Sequence, residues 1–432
     1  MQHATVEKNN AHCAEASLLE DWKDFFAIYD GDFCLNLQKA IESSFQPPSE
    51  FIVAEYTVFR RPLKSMGNLL SEPNTKKNYT SGCDNGLSYG LCSMQGRRRR
   101  MEDAHCAEVS IPGEWKDWSF FAIFDGHGGK EVSTYCAKHL LDTIMKTEQF
   151  QSSNADSRNK LKFTENVRDG IREAFLKLDS EMEHQRIAGE NLYCGSTVIS
   201  VFISSTHFYI ANLGDSRGVI SCNQEIRFIT NDHKPDSEFE KQRIERAGGF
   251  VLLNGCPRIN GCLSVSRALG DYAYKQMPFK NFLEQLVSPE PTVDVLDRYV
   301  DDEFLVLACD GIWDVLKPIK LCNYIRYMLQ VTENLECICK SIIDACYYKG
   351  SRDNMSVLVV LLPGAPKISE KVIQQDKNIF SILQKHIEDI ICTYGFIKVE
   401  DLMKILSRDV KLQQEPALIG SPFEKSFYFL SR

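Results

Sequence analysis

The chain of 432 residues has no apolar run near the roughly 18 residues that a membrane-spanning helix needs. It has no excess of basic residues. Its formal net charge is −9, which argues against general nucleic-acid binding. It contains sixteen cysteines but no CxxC pair, and "CICK" places only Cys337 and Cys339 close together. A compact zinc site is therefore not indicated. Nor is there a secretory leader at the N-terminus, so the cysteines are expected to be reduced intracellular thiols. A short tandem period is missing too, which excludes a solenoid.

One internal echo is present. "NAHCAEASLLEDWKDFFAIYDG" (10–31) repeats much of "DAHCAEVSIPGEWKDWSFFAIFDG" (103–126). The first copy has lost chemistry: Asn9 and Asn10 stand where the second has Glu102 and Asp103, and Asp32 stands where the second has His127. It reads as a decayed partial duplication or a gene-model artefact, and neither adds a second active site.

Residues 1–65 read as an N-terminal extension and the polar residues 66–86 as a linker. From Leu87 onward, short apolar runs read as strands: "LSYGLCSM", "HCAEVSI", "SFFAIF", "GSTVISVFIS", "HFYIANL", "RGVIS", "EIRFIT" and, later, "MSVLVVLL". Helices are expected over 132–144 and 167–182 with a loop between them, and again over 318–330 and 335–348. Another helix starts at Asp236 or Ser237, where Ser237 and Glu240 fit a capping box, and stops at Gly248 and Gly249. Apolar residues at helical spacing from Ile379 to Ile391, and again from Val399 to Leu406, predict a helical C-terminal extension over 367–432. Strands in runs with grouped helices favour α+β layering over a parallel βαβ sheet.

Acids recur where apolar strands end. "FFAIFDG" ends in Asp125-Gly126, "FLVLACDG" in Asp310-Gly311 and "YIANLGD" in Gly214-Asp215, while Asp353 precedes "NMSVLVV". Such carboxylates would repel one another at a shared rim unless a hard divalent cation joined them. A set of ordinary strand-ending turns is the alternative. His127 follows Asp125-Gly126 directly, so it is a ligand or a proton donor there, or merely a solvated side chain. Four consecutive arginines, Arg97 to Arg100, precede Glu102 and Asp103. In extended chain Arg98, Arg100 and Glu102 share one side, and a guanidinium offers paired donors to phosphate oxygens. Metals, arginine and histidine at one point suit phosphoester hydrolysis.

These stretches, with "DHKP", "AGGFV", "LSVSRALGDYAYK", "QLVSPEP" and "KGSRDNMSVLVV", occur in the order of a known family. The chain resembles the type 2C metal-dependent protein serine/threonine phosphatases, and within them the animal alpha/beta group, over about 66–366. The resemblance implies an α+β fold, a four-layer α-β-β-α sandwich with two central antiparallel sheets, in a domain over 87–366. It implies hydrolysis of phosphoserine and phosphothreonine in proteins by a metal-activated water, with two Mg²⁺ or Mn²⁺ ions and a weaker third. By motif, Asp125 would bridge both metals, Gly126 would offer its carbonyl, and Asp310 and Asp353 would bind the second ion. Glu102 and Asp103 would hold metal-bound waters, Arg98 would grip the phosphate and His127 would protonate the leaving oxygen. Asp215, Asp314 and Arg267 would support the site, with 233–274 as a flap. Where this chain has Arg97 the family usually has an aromatic residue, and Arg99 and Arg100 add charge at variable positions.

The partners implied are phosphoproteins, in the cytoplasm or nucleus, with no nucleic acid and no transmembrane segment, and a monomer is expected. The alternative is a pseudophosphatase acting as a binding protein. "MGNLLS" matches a myristoylation pattern at Gly67 with Ser71, which matters only if translation begins at Met66. A single acyl chain would give transient membrane contact.

Overall fold

The structure, a computed structural model, describes residues 69–153, 160–253, 255–276 and 281–394. The N-terminal copy of the echo, Met66 to Asn68 of the myristoylation motif and the short helix expected near 399–406 lie outside them. The chain divides into two compact units. One runs from Ser71 to Glu370, and the helix Glu370–Tyr394 falls in the other from its second residue onward.

Two antiparallel sheets form the centre of the larger unit. The first contains β1 (Leu69–Asp84), β2 (Leu87–Arg98), β7 (Arg217–Cys222), β8 (Glu225–Ile229), β13 (Asp302–Ala308) and β14 (Met355–Leu361), in the order β1-β2-β14-β13-β7-β8. The second has the order β12-β6-β5-β4-β3. Its strands are β3 (Ala104–Glu108), β4 (Ser119–His127), β5 (Gly195–Ile203), β6 (His207–Leu213) and β12 (Thr292–Asp297). The two-residue β11 (Leu269–Gly270) pairs with β5. The hairpin β9 (Val251–Leu252) and β10 (Arg258–Ile259) stands apart.

β4 shows why a sandwich forms. Its five residues Phe120 to Phe124 are all fully buried. Phe120, Ala122 and Phe124 join a cluster with Val132, Leu140, Ile171 and Phe175 from the helices α1 (Glu131–Met145) and α3 (Lys160–His184). Phe121 points the other way and meets Tyr89 of β2, ring centroids 5.3 Å apart. A strand buried on both faces needs this continuous apolar run. The first sheet is covered by α6 (Pro318–Val331) and α7 (Leu335–Tyr348).

Three local expectations change. The linker read over 66–86 contains the 16-residue β1. This is an edge strand, so its outward polar residues do not argue against it. Asn85 (φ 53°) and Gly86 (φ 70°) both take the left-handed conformation of a two-residue hairpin turn into β2. Ion pairing then fixes β1 to α7: Lys77 Nζ lies 2.8 Å from Asp344, and Lys340 sits over the Tyr79 ring. Second, the loop after α1 contains a helical turn and a half, α2 (Glu148–Ser153). Its Phe150 is fully buried against Trp115. Third, Ser237 is the N-cap of α4 (Glu238–Arg246), but its side chain makes no capping hydrogen bond. The carboxylate that would complete the box, Glu240, is buried and engaged by Arg243 and Arg267.

Candidate active site

Strand register gathers the expected site at one end of the sandwich. In the first sheet Met94 of β2 lies opposite Met355 at the start of β14. Ala308 at the end of β13 lies opposite Val357 of β14 and Arg217 of β7. Arg98, Asp353, Asp310 and Asp215 therefore leave the sheet at the same edge. In the second sheet Ala104 opposes Phe124, and His127 opposes Gly195. Gly270 also opposes Gly195, so Asp103, Asp125, His127 and Asp271 share an end as well. Two short crossings, 99–103 and 214–216, join the sheets there.

Close backbone approach explains both Asp-Gly pairs. A Cβ on Gly126 would sit 2.3 Å from the Glu102 carbonyl oxygen, and one on Gly311 would sit 1.9 Å from the Asn354 carbonyl oxygen. Asn354 ties the crossing down. Its Nδ2 donates to the carbonyls of Gln95 (2.9 Å) and Arg100 (3.0 Å), and its Oδ1 accepts from the Glu102 amide (2.8 Å). The Ser133 hydroxyl donates to the Glu102 carbonyl at 2.5 Å.

The acids disturb one another. Burial lifts Asp125 well above the usual carboxylate range, and the charges of Asp310, Asp103, Asp353 and Asp215 lift it further. Asp310 is raised by burial, then by Asp215, Asp353 and Asp314. Burial pushes Asp103 up to about 7 and also raises Glu102 and Asp314. Asp103 Oδ2 accepts from the Ser356 hydroxyl at 2.6 Å, whereas its buried Oδ1 has no hydrogen-bond partner. Asp103, Asp125 and Cys309 place a ligand atom each within 4.8 Å of one another. The Cys309 thiol is held uncharged by burial, and its sulfur already accepts from the Ser356 amide at 3.1 Å. The remaining donors are oxygens, and an orphaned carboxylate oxygen among mutually repelling acids fits a hard divalent cation.

Cations and a histidine border this cluster. Arg98 pairs with Asp353 and is about half exposed. Burial opposes its charge, but Asp353, Asp310 and Asp125 more than offset that. His127 Nε2 lies 2.7 Å from Oδ2 of the fully buried Asp271. Burial would lower the His127 pKa, yet Asp271 raises it above the ordinary value. A Cβ on Gly195 would fall 2.5 Å from Asp271 Oδ2 and 2.7 Å from His127 Nε2, so only glycine fits beneath this pair. Lys234 pairs with Asp215. Arg267, expected in support, is committed elsewhere. It binds Glu240 Oε1 at 2.6 and 3.0 Å and the Glu290 carbonyl at 3.0 Å, fastening the segment 233–274 to the fold. Despite burial, these contacts pull Glu240 down to about 2.

Asp271, Lys234, Asn354 and Gly195 were not singled out as site residues in the sequence. A signal for Asp271 was present: "ALGD" (268–271) repeats the ending of "NLGD" (212–215).

A family model described as Protein phosphatase 2C matches residues 87–355. The chain belongs to the protein phosphatase 2C family. Members depend on Mg²⁺ or Mn²⁺, and this chain is a protein serine/threonine phosphatase acting on phosphoproteins. A second model, the C-terminal domain of protein serine/threonine phosphatase 2C, matches 356–420. Protein phosphatase 1A of Bos taurus is 45% identical over 359 residues, covering 82% of this chain and 90% of its own. Protein phosphatase 1B of Rattus norvegicus is 45% identical over 348 residues, covering 80% and 88%. A solved phosphatase from a pathogenic strain of Toxoplasma gondii superposes with a TM-score of 0.57 at 26% identity, covering 67% of this chain and 96% of that one. The two antiparallel sheets flanked by helices are the fold of this family. Among the described residues no helix is long and apolar enough to cross a membrane.

Proposed function

We propose that the phosphatase reaction runs on the acidic rim, with two divalent ions held by Asp125, the Gly126 carbonyl, Asp310 and Asp353. Glu102 and Asp103 would hold their bound waters, Asp215 would serve a weaker third ion and Asp314 would add negative charge. The observation that carries this reading is the convergence of acids from five separate segments, where burial first and then mutual repulsion lift Asp125 and Asp310 well above ordinary carboxylates. When bound, Mg²⁺ or Mn²⁺ lowers the pKa of water and offsets charge on the transferring phosphoryl group.

The chain's own groups do the rest. Arg98 turns its guanidinium from Asp353 toward the substrate phosphate, with two donors matching two oxygens. His127 gives a proton to the departing serine or threonine oxygen. Its Nε2 is occupied by Asp271, so Nδ1 is the donating atom. Asp271 positions the ring and keeps it protonated without touching substrate.

Mn²⁺ titration tests the reading by two routes. Wild type should gain thermal stability with Mn²⁺ and hydrolyse a phosphothreonine peptide, and EDTA should stop it. Asp310→Asn and Asp125→Ala should lose both responses while still folding in EDTA. An unchanged Mn²⁺-dependent stabilisation in both variants would refute the assignment.

A further inference from the structure

Two segments beside the rim carry cations and no acid: residues 97–100, all arginine, and residues 347–352, which contain Lys349 and Arg352. The fold holds them together. The Arg97 guanidinium lies over the Tyr347 ring, 5.9 Å from its centroid, and Arg98 pairs with Asp353, the residue after Arg352. A Cβ on Gly96 would meet the Asp353 carbonyl oxygen at 2.7 Å, so the two backbones are in contact. Arg99, Arg100 and Arg352 are exposed. The Arg100 backbone is anchored by Asn354 at 3.0 Å, which fixes where its side chain starts. Arg97 packs on an aromatic ring and so orients the run.

We propose that this band is a subsite for acidic side chains flanking the phosphorylated residue, making acidic phosphopeptides the preferred substrates. The inference rests on the reading that Arg98 and the acidic rim receive the phosphoryl group. An acidic peptide brought to that rim meets like charge from Glu102, Asp103 and Asp314, which disfavours it. Arg99, Arg100 and Arg352 reverse that sign on one side of the cleft. An extended peptide advances about 3.3 Å per residue. Carboxylates within about three residues of the phosphate therefore come level with arginines one or two positions from Arg98. Guanidinium groups take such carboxylates in paired hydrogen bonds, which lysine does not reproduce.

The test uses the full chain with Mn²⁺ and two phosphothreonine peptides of equal length, one flanked by Asp and Glu, the other by Asn and Gln. Wild type should favour the acidic peptide by roughly tenfold in kcat/KM at low salt, and added NaCl should erode the preference. The variants R99Q/R100Q and R352Q should lose the preference progressively. They should keep the neutral peptide and p-nitrophenyl phosphate within about twofold of wild type, because no transition-state contact is removed. Equal losses on both peptides, or no preference in an active wild type, would overturn this inference alone. A wild type inactive on every substrate would overturn the site reading and this inference with it. Arginine-dependent association with phosphatidylserine vesicles, without peptide preference, would overturn it in favour of a membrane surface.

Discussion

Replacing Asp271 by Asn isolates the proposed proton-donor arm, the His127–Asp271 pair. Asn keeps the size of the side chain, and its amide oxygen still accepts from His127 Nε2, now 2.7 Å from a buried carboxylate oxygen. What disappears is the charge. A hydrogen bond to a charged group contributes about 1.5–3 kcal/mol, and each 1.4 kcal/mol is about tenfold in rate, so the loss should be about 10- to 100-fold. That loss should fall on substrates whose leaving oxygen needs a proton. Phosphothreonine peptides should show it in full, whereas p-nitrophenyl phosphate, with a far weaker base as leaving group, should change by less than about threefold. The pH profile should move too. Burial alone lowers the His127 pKa and Asp271 raises it, so without the charge burial dominates. The alkaline limb for peptide hydrolysis then shifts to lower pH. Stability follows the same sign. A histidine with a raised folded pKa stabilises fully below its unfolded pKa and loses that contribution as pH rises through the folded one, so the variant should be more destabilised at pH 6 than at pH 9. Equal losses on both substrates with an unmoved limb would refute the positioning role.

In EDTA the acids of the rim should make the protein less stable as pH rises from about 4 to 7, by an amount on the order of 2 kcal/mol, because Asp103, Asp125 and Asp310 keep protons in the folded state that the unfolded chain releases. Thermal melts with and without Mn²⁺ should show the slope only without the ion. Gly311→Ala places a methyl 1.9 Å from the Asn354 carbonyl oxygen, so it should displace Asp310 from Asp353, costing about 1–3 kcal/mol in denaturant melts and most of the activity. Gly86→Ala meets no atom within 4 Å, so only its φ of +70° resists; urea melts should show about 1 kcal/mol lost with activity intact. Glu240→Gln should leave Arg267 and Arg243 short of a buried counter-charge and cost about 3 kcal/mol or more, read as a lower melting temperature.

The central layers were legible because their signal is local. A strand buried on both sides, such as β4, must be apolar at every position from Phe120 to Phe124, and no helix of that length competes. β1 was missed for the opposite reason. Its polar alternation carries no apolar signature, and its stability comes from Lys77 and Tyr79 meeting α7, far away in sequence. Only Asn85-Gly86 announced it, since both positions need positive φ and that pair tolerates it. The capping box at Ser237 failed because a buried ion-pair network competed for Glu240, and a three-residue spacing carries no record of Arg267.

The site divides along the same line. Asp125, Asp310 and Asp215 stand out as candidates because acid and glycine at the end of an apolar strand form a pattern within one segment, and Asp353 because it stands just before such a strand. Arg267, assigned by motif to support the site, binds Glu240 and the Glu290 carbonyl, partners that no motif names. Asp271 and Gly195 lay beyond that reach, because their role exists only across strands. Gly270 stands opposite Gly195, which in turn stands opposite His127, and that double register sets the carboxylate against the imidazole. Gly195→Ala therefore tests the register itself. Its methyl would land 2.5 Å from Asp271 Oδ2 and 2.7 Å from His127 Nε2, parting the pair. The acidic rim is left alone, so Mn²⁺ should still stabilise the variant as it does wild type. Peptide hydrolysis should fall with the same leaving-group dependence as Asp271→Asn. Loss of the Mn²⁺ response would mean that the two arms of the site are one structural unit, and the separate roles given to them would not stand.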